Sequence, residues 1–264
     1  MVLRSGSEST AASCIEVRKL WRARVFYKCF LEIVKTKMTE QIAREEICRI
    51  GKSLFDRSYV HATAGNISVR LQDGFLITPT DACLGFLDPA RLSKIDMQGR
   101  QVSGDKASKT MALHSAIYSK ARLFDADISC IIHTHSTHCV ALTLESVPHA
   151  DVGPHAELLP AITPYFVMKV GHVPTIPYAS PGSTKTIEFV EKAIASYGEA
   201  GTPLRACMLS RLGPYVWNSS PTSAMATLEE LEETAKLFFL RKNEIDPLSD
   251  GQLNELRTAF AVRW

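Results

Sequence analysis

Apolar and polar positions recur with two different periods from about residue 39 onward, and each period predicts one kind of element. Between Thr39 and residue 57, apolar residues recur at helical spacing and glutamates stand early, which predicts an amphipathic helix. Apolar-alternating runs over residues 59–70 and 75–80 flank a turn at Asp73-Gly74, and this pattern predicts a β-hairpin.

The stretch with the most chemical information is the apolar run Cys130-Ile131-Ile132-His133, which continues through His135 to His138. A short run of β-branched and apolar residues predicts a buried strand. Because alternate side chains of a strand share a face, we expect His133 and His135 to point the same way. Neutral imidazole is the commonest metal ligand, so this pair is a candidate metal site. A catalytic zinc takes three protein ligands, so two histidines do not complete one.

The rest of the chain predicts further short strands and helices. Asp88 followed by Pro89 predicts a short helix, with Asp88 as its cap and Pro89 at its first position. The acidic residues of the segment 222–241 predict a solvated helix face. The other predicted elements are a strand at 93–97, a helix from 108 to 122, short strands at 161–167 and 173–178, a helix at 188–197, two strands within 204–217 broken at Gly213-Pro214, and helices at 222–241 and 249–262.

These elements mix without a strict βαβ rhythm and without internal repeats. We therefore predict one α/β layered domain over residues 38–264, in which helices cover a central, mostly antiparallel sheet. Its 227 residues are enough to bury a substantial core.

Residues 1–37 have a different composition from the rest of the chain. They begin with a Ser-, Ala- and Thr-rich stretch and carry eight Lys or Arg against three Glu. We expect a disordered or basic N-terminal extension. We favour an N-terminal extension upstream of a true initiation site at Met38, because the patterned chain begins there. The alternatives are a transit peptide, a surface helix and an amphipathic membrane-surface helix.

Charge and cysteine content restrict the class of protein. The formal net charge is +2, and because residues 1–37 contribute an excess of five positive charges, residues 38–264 are net negative. This distribution argues against a nucleic-acid partner. No run approaches the roughly 20 apolar residues of a membrane-spanning helix, so we expect no membrane partner either. Seven cysteines without a C-x-x-C pair favour free thiols in a reducing compartment, and we predict a cytoplasmic location.

Small polar residues at both ends of the predicted hairpin are candidates for binding an anion. Gly65-Asn66-Ile67-Ser68 and Thr78-Pro79-Thr80 supply close backbone approach and neutral hydrogen-bond donors. Ser108 and Lys109 stand at the start of a predicted helix, where backbone N–H groups favour anions. Turn punctuation and a solvated lysine are the ordinary interpretations of these residues taken singly.

Four motifs together give the chain a resemblance to the class II aldolase/adducin family. They are Thr63-Ala-Gly-Asn-Ile-Ser-Val-Arg70, Leu76-Ile-Thr-Pro-Thr80, Leu84-Gly-x-Leu-Asp-Pro-Ala-Arg-Leu92 and Ile132-His-Thr-His-Ser-Thr137. The resemblance covers roughly residues 40–260 and is nearest to the branch of 3-oxo-tetronate 4-phosphate decarboxylases. It implies a class II aldolase-like fold, a divalent metal that is most often Zn held by three histidines, and a nearby catalytic glutamate. His133 and His135 match the first two histidines.

The chain departs from the family pattern at three positions. The third histidine belongs to an Asn-His-Gly-Pro-like motif, and the matching stretch here has Leu212 before Gly213-Pro214. The glutamate follows a Ser/Thr-Lys pair, and here Thr110 follows Lys109. Asp81 stands where the phosphate loop would have glycine. Leucine cannot coordinate a metal and threonine cannot serve as a general base near neutral pH.

The resemblance implies a metal-dependent lyase that converts a phosphorylated sugar acid into dihydroxyacetone phosphate and carbon dioxide, in a homotetramer. Asn66, Ser68, Thr80, Ser108 and Lys109 would bind the phosphate, and Thr110 marks the catalytic position. One alternative is a catalytically impaired member of the fold with a binding or interaction role, and another is a sugar-phosphate retro-aldolase. The further histidines that could supply a third ligand are His138, His155 and His172.

Overall fold

The computed structural model describes residues 38–144 and 156–264. Residues Glu40 to Trp264 form one compact unit. The expectations for residues 1–37, and the suggestion that His155 is a metal ligand, fall outside the described residues.

A single eight-stranded sheet forms the centre of the molecule, in the order β4-β3-β2-β1-β5-β8-β7-β6. Neighbouring strands are antiparallel except for β6 and β7, which are parallel. The strands are β1 (Asn66–Arg70), β2 (Gly74–Ile77), β3 (Ser93–Asp96), β4 (Gln101–Ser103), β5 (Cys130–His133), β6 (Thr175–Ile176), β7 (Ala206–Leu209) and β8 (Gly213–Asn218). The predicted class, an α/β domain with a mostly antiparallel central sheet, is confirmed.

Six α-helices of the described residues accompany the sheet. They are α1 (Glu40–Asp56), α2 (Met111–Ala121), α3 (Thr137–Leu142), α4 (Thr184–Glu199), α5 (Pro221–Leu240) and α6 (Asp250–Phe260). Single 3₁₀ turns span Leu84–Phe86 and Pro89–Arg91, and a π-helical turn spans Phe166–Val170. Asp88 caps its short turn as predicted, because its carboxylate accepts from the Ala90 backbone N–H at 2.9 Å.

Strand β5 lies between β1 and β8 in the middle of the sheet. Its apolar residues Ile131 and Ile132 are completely buried, one on each face, because helices cover both sides. A fully buried strand reads as a continuous apolar run, which explains why the sequence pattern located it. The register sets Asn66 opposite His133 on one side, and Tyr215 opposite His133 on the other.

Two local predictions are wrong. Residues 161–167 do not form a strand, since the chain enters the π-helical turn there. The break between the last two strands is a turn over residues 210–212, with Arg211 at φ 64°, and Gly213-Pro214 begins β8 instead of interrupting it. Proline is tolerated there because it is near the start of a strand.

The acidic face of α5 is not entirely solvated, which corrects another expectation. Glu232 is 5% exposed. Its carboxylate accepts from the backbone N–H groups of His138 and Cys139 at 2.9 and 3.1 Å, at the start of α3. A carboxylate at a helix N-terminus satisfies unpaired N–H groups and complements the helix dipole, so Glu232 is buried for a structural reason.

The described residues contain no helix that is both long enough and apolar enough to cross a membrane. The five cysteines among them, Cys48, Cys83, Cys130, Cys139 and Cys207, are all free.

Candidate active site

The candidate site lies where the three central strands β1, β5 and β8 meet a cavity of about 450 Å³. Asn66, His133 and Tyr215 are register neighbours on these strands, and all three line the cavity. A cavity of this size suits a small-molecule ligand. The middle of the sheet therefore presents one amide, one imidazole and one phenol to the same space.

The cavity collects nearly all of the residues that the sequence singled out. Lining it are the histidine pair, the two substituted positions and most of the anion candidates: His133, His135, Thr110, Leu212, Asn66, Thr80, Asp81, Ser108 and Lys109. Ser68 is the exception. Its side chain is completely buried and is not among the lining residues. The structure thus separates Ser68 from the group that could touch a ligand.

His133 and His135 lie close together, as predicted, although the strand ends earlier than predicted. Strand β5 ends at His133, and His135 lies two residues beyond it. Their ring centroids are nevertheless only 5.0 Å apart. The alternation argument reached the right juxtaposition, with His135 held by the backbone that follows the strand.

Burial keeps His133 neutral, and a hydrogen bond fixes which of its nitrogens carries the proton. The ring is 2% exposed, and Nδ1–H donates to the Pro214 carbonyl at 3.0 Å, which leaves Nε2 with a free lone pair. Burial, with a smaller contribution from His135, lowers the pKa of His133 to about 3. Burial and the neighbouring His61 also lower the pKa of His135. Two neutral imidazoles are the form in which histidine binds metals.

A third protein ligand is missing from the described residues. Leu212, the residue that the resemblance aligns with the family's third histidine, lines the cavity wall. No cluster of three or more His, Cys, Asp or Glu side chains within residues 38–144 and 156–264 could hold a metal ion. The chemistry of the donors therefore fits two positions of a divalent cation's coordination sphere, one fewer than the three protein ligands of a catalytic zinc site.

The other histidines considered as ligands have different partners. His138 turns to α5, where its Nδ1 lies 2.8 Å from Glu232 Oε1. His172 Nδ1 lies 2.9 Å from Glu157 Oε1. Neither histidine lines the cavity. His138 belongs to helix α3, which begins at Thr137.

Two glycines allow the backbone to close around the histidines. Gly65 has φ 84°, and a Cβ there would lie 2.8 Å from the His133 carbonyl oxygen. Gly213 has φ 144°, and a Cβ would lie 1.9 Å from the Thr134 carbonyl oxygen. Both positions combine a conformation and a close approach that only glycine accepts.

A buried histidine that the sequence analysis missed supports the cavity wall. His114 of α2 is completely buried, and its Nε2 lies 2.6 Å from Asn66 Oδ1 while its Nδ1 lies 2.7 Å from Ser68 Oγ. Burial lowers the pKa of His114 to about 3, so the ring is neutral. The consistent arrangement has Nε2–H donating to Asn66 and Nδ1 accepting from Ser68. The Asn66 amide N–H₂ then faces away from His114.

The same network explains why Ser68 is buried. Its hydroxyl also lies 3.0 Å from the Tyr118 hydroxyl, which donates to the Ser68 or the Ser129 backbone carbonyl. A histidine inside a helical pattern is usually only a satisfied buried group, so the periodicity of α2 carried no signal for His114. Its role depends on strand β1, 46 residues earlier, where Ser68 lies.

The start of α2 supplies the cationic side of the cavity. Lys109 is exposed, and Ser108 and Thr110 are partly buried with their hydroxyl oxygens 2.9 Å apart. Asp81 opposes them with a negative charge and has φ 56°, a conformation that favours glycine. The cavity therefore offers hydrogen-bond donors and one lysine to an anion, with one carboxylate working against it.

Comparison with known proteins identifies the family. Residues 45–239 match the model of the Class II Aldolase and Adducin N-terminal domain. A 3-oxo-tetronate 4-phosphate decarboxylase of Cupriavidus necator is 51% identical over 231 residues, which are 86% of this chain and 99% of that protein. One of the same name from Escherichia coli K12 is 40% identical over 223 residues, 83% of this chain and 97% of that protein.

Solved structures agree on the fold. A crystal structure of a Klebsiella pneumoniae protein is 41% identical with a TM-score of 0.71, covering 83% of this chain and all of that chain. An L-fuculose 1-phosphate aldolase with a TM-score of 0.67 covers 83% of this chain and 96% of its own, and at 24% identity it supports the fold alone.

Proposed function

The chain belongs to the class II aldolase and adducin family, and on that premise we propose that it is a lyase that decarboxylates a phosphorylated short sugar acid. The substrate that its relatives' name gives is 3-oxo-tetronate 4-phosphate. Loss of carbon dioxide from that β-keto acid, followed by protonation, gives dihydroxyacetone phosphate. The observation that carries the proposal is one cavity that holds a neutral histidine pair beside a cluster of anion-binding groups.

The anion-binding groups would hold the phosphate. Lys109 provides the charge, Ser108 and Thr80 provide hydroxyl donors, and the Asn66 amide provides an N–H₂ whose direction His114 sets. One lysine together with several neutral hydrogen-bond donors can bind a phosphate without a second cationic side chain. Ser68 contributes through His114 and Asn66, since its own hydroxyl is buried.

His133 and His135 would hold a divalent cation, for which Zn²⁺ is a suitable choice because imidazole is among its preferred ligands. When bound, such a cation would polarise the substrate ketone and stabilise the negative charge that develops as carbon dioxide leaves. The protein's own contribution is to keep both imidazoles neutral by burial and to fix His133 by its Nδ1–H bond to Pro214. With two protein ligands, we expect weaker metal affinity than a three-histidine site has.

A decarboxylation tolerates the loss of the family glutamate better than an aldol cleavage would. Carbon dioxide leaves without a base to remove a proton, whereas cleavage of an aldol must deprotonate a hydroxyl group. Thr110 cannot take that proton near neutral pH. This difference is why we place decarboxylase activity ahead of a sugar-phosphate retro-aldolase.

A second candidate function is ligand binding without turnover. Leu212 and Thr110 favour it, because both lie on the cavity wall in place of a metal ligand and an ionisable group. Under this alternative the cavity would bind phosphorylated sugar acids and release them unchanged. We further propose that the chain works in the cytoplasm as a homo-oligomer, a tetramer by family resemblance.

The two candidates are separated by incubating the full chain with 3-oxo-tetronate 4-phosphate and Zn²⁺ or Mn²⁺. The proposal predicts equal amounts of carbon dioxide and dihydroxyacetone phosphate, with activity lost in His135→Ala and kept in His172→Ala, whose side chain lies outside the cavity. Saturable substrate binding by calorimetry without either product would support the binding protein. Product formed equally by the parent and His135→Ala would contradict the metal assignment.

A further inference from the structure

Decarboxylation leaves an enediolate that must gain a proton. The residue at the position of the family glutamate is a poor donor for it. Thr110 stands there, and its hydroxyl is engaged with Ser108 Oγ at 2.9 Å. Lys109 is committed to the phosphate in the function proposed above. A phenol that lines the same cavity beside the histidine pair is better placed to donate a proton. Tyr215 is the phenol among the described residues that line this cavity.

We propose that Tyr215 is the proton donor that protonates the enediolate, in place of the missing glutamate. The residue lies on β8 directly opposite His133 of β5. Its ring stacks on the His133 ring, with centroids 4.1 Å apart and 14° between the planes. A substrate held beside the histidine pair is thus held beside the phenol, and the stacking fixes the ring in one orientation.

The network behind the cavity orients the phenol's proton. Because His114 Nε2–H donates to Asn66 Oδ1 at 2.6 Å, the Asn66 amide keeps its N–H₂ for other partners. One of these is the Tyr215 side chain: burial raises the pKa of that phenol, and Asn66 offsets part of the rise. An amide N–H₂ can only donate, so the Tyr215 oxygen accepts and its own hydrogen remains available. Within residues 38–144 and 156–264, no protein group accepts a hydrogen bond from the Tyr215 hydroxyl.

The proposal rests on the proposed function and adds one step to it. When the carbon–carbon bond to the carboxylate breaks, its electron pair passes into the adjacent ketone and gives the enediolate. The Tyr215 O–H bond then breaks as a new C–H bond forms at the carbon that lost carbon dioxide. The ketone of dihydroxyacetone phosphate is restored, and the tyrosine phenolate takes a proton back from water.

Tyr215→Phe tests this step because it removes the hydroxyl and keeps the ring that stacks on His133. The reaction is run in D₂O with the metal-loaded full chain, and the position of deuterium in the product is determined by NMR after stereospecific enzymatic exchange. The parent should place deuterium in one of the two prochiral positions of the new CH₂OH carbon. Tyr215→Phe should place it in both equally, since solvent then protonates a released enediolate from either face.

The same experiment measures whether the two products remain coupled. In Tyr215→Phe, dihydroxyacetone phosphate formation should fall roughly 100-fold or more relative to the parent, the usual contribution of a general acid. Carbon dioxide release should fall less, with the difference appearing as methylglyoxal and inorganic phosphate, the elimination products of a stranded enediolate. Tyr118→Phe is the matched control, because it removes a buried phenol hydroxyl of the same network that does not line the cavity.

The outcomes separate the two proposals. A parent chain that releases no carbon dioxide contradicts the proposed function, and the Tyr215 step with it. Carbon dioxide release by a folded Tyr215→Phe chain that keeps both the stereochemistry and the product ratio of the parent contradicts the Tyr215 step alone. Loss of stereochemistry in Tyr118→Phe as well would assign the effect to the packing of the network, which also overturns the role of Tyr215.

Discussion

His114→Gln should make the stability of the protein less sensitive to acid. His114 is completely buried, and burial lowers its pKa from 6.5 to about 3. Above pH 6.5 the histidine is neutral in both the folded and the unfolded chain, so its contribution is fully present. As the pH falls from 6.5 towards 3, the histidine binds a proton in the unfolded chain but not in the folded chain, so the free energy of unfolding decreases.

The magnitude follows from the size of that window. One proton taken up by the unfolded chain alone corresponds to a slope of about 1.4 kcal/mol per pH unit. Over the window of the His114 pKa shift this amounts to about 5 kcal/mol, a large part of the roughly 5–15 kcal/mol that stabilises a typical domain. Glutamine does not titrate, so His114→Gln should remove that slope. It should also cost about 1–3 kcal/mol at pH 7.5, because one buried partner is left unsatisfied.

Urea denaturation of metal-free protein at a series of pH values from 4.5 to 7.5 measures both effects. The free energy of unfolding should fall with decreasing pH more steeply in the parent than in His114→Gln, by about 1.4 kcal/mol per pH unit. Tyr118→Phe is the control, because it removes a hydroxyl of the same network and should lower stability by a similar amount at every pH. Parallel curves for the parent and His114→Gln would refute the assignment of His114 as a buried neutral histidine.

Three further changes test separate parts of the site and fold. Leu212→His with Thr110→Glu should tighten Zn²⁺ binding by more than the roughly 10- to 100-fold that outer-shell partners contribute, measured by competition with a chromophoric chelator; unchanged affinity would mean that these positions do not face the histidine pair. Asp81→Gly removes a repelling charge and a left-handed conformation that costs a non-glycine residue roughly 1–2 kcal/mol, so KM should fall and the melting temperature should rise; a higher KM would contradict the charge argument. Glu232→Ala should lower the free energy of unfolding by about 2 kcal/mol in urea, since one buried and one partly buried backbone N–H group at the start of α3 lose their acceptor; no change would contradict the capping role.

The elements that the sequence predicted well are those whose burial produces a strong local pattern. Strand β5 is apolar on both faces, and the alternation within it placed His133 beside His135 although the strand stops at His133. The hairpin β1–β2 was predictable from Asp73-Gly74, because the turn residues fix the register. The substitution at Leu212 was also visible, since the motif around it is short and contiguous.

The features that the sequence could not predict depend on contacts between distant segments. The acidic composition of α5 predicted that Glu232 is solvated. It is buried because the start of α3 packs against α5. His114 and Ser68 are 46 residues apart, and neither carries a signal that they share a hydrogen bond. Tyr215 looked like one more apolar position of a buried strand until the register set it opposite His133.

The most direct test of the central claim is a ¹³C NMR time course of the metal-loaded full chain with 3-oxo-tetronate 4-phosphate labelled at its carboxylate and ketone carbons. If the chain is the proposed decarboxylase, label appears together as carbon dioxide or bicarbonate and as the ketone of dihydroxyacetone phosphate, and His135→Ala abolishes both signals. Substrate signals that broaden on binding but yield neither product would contradict it.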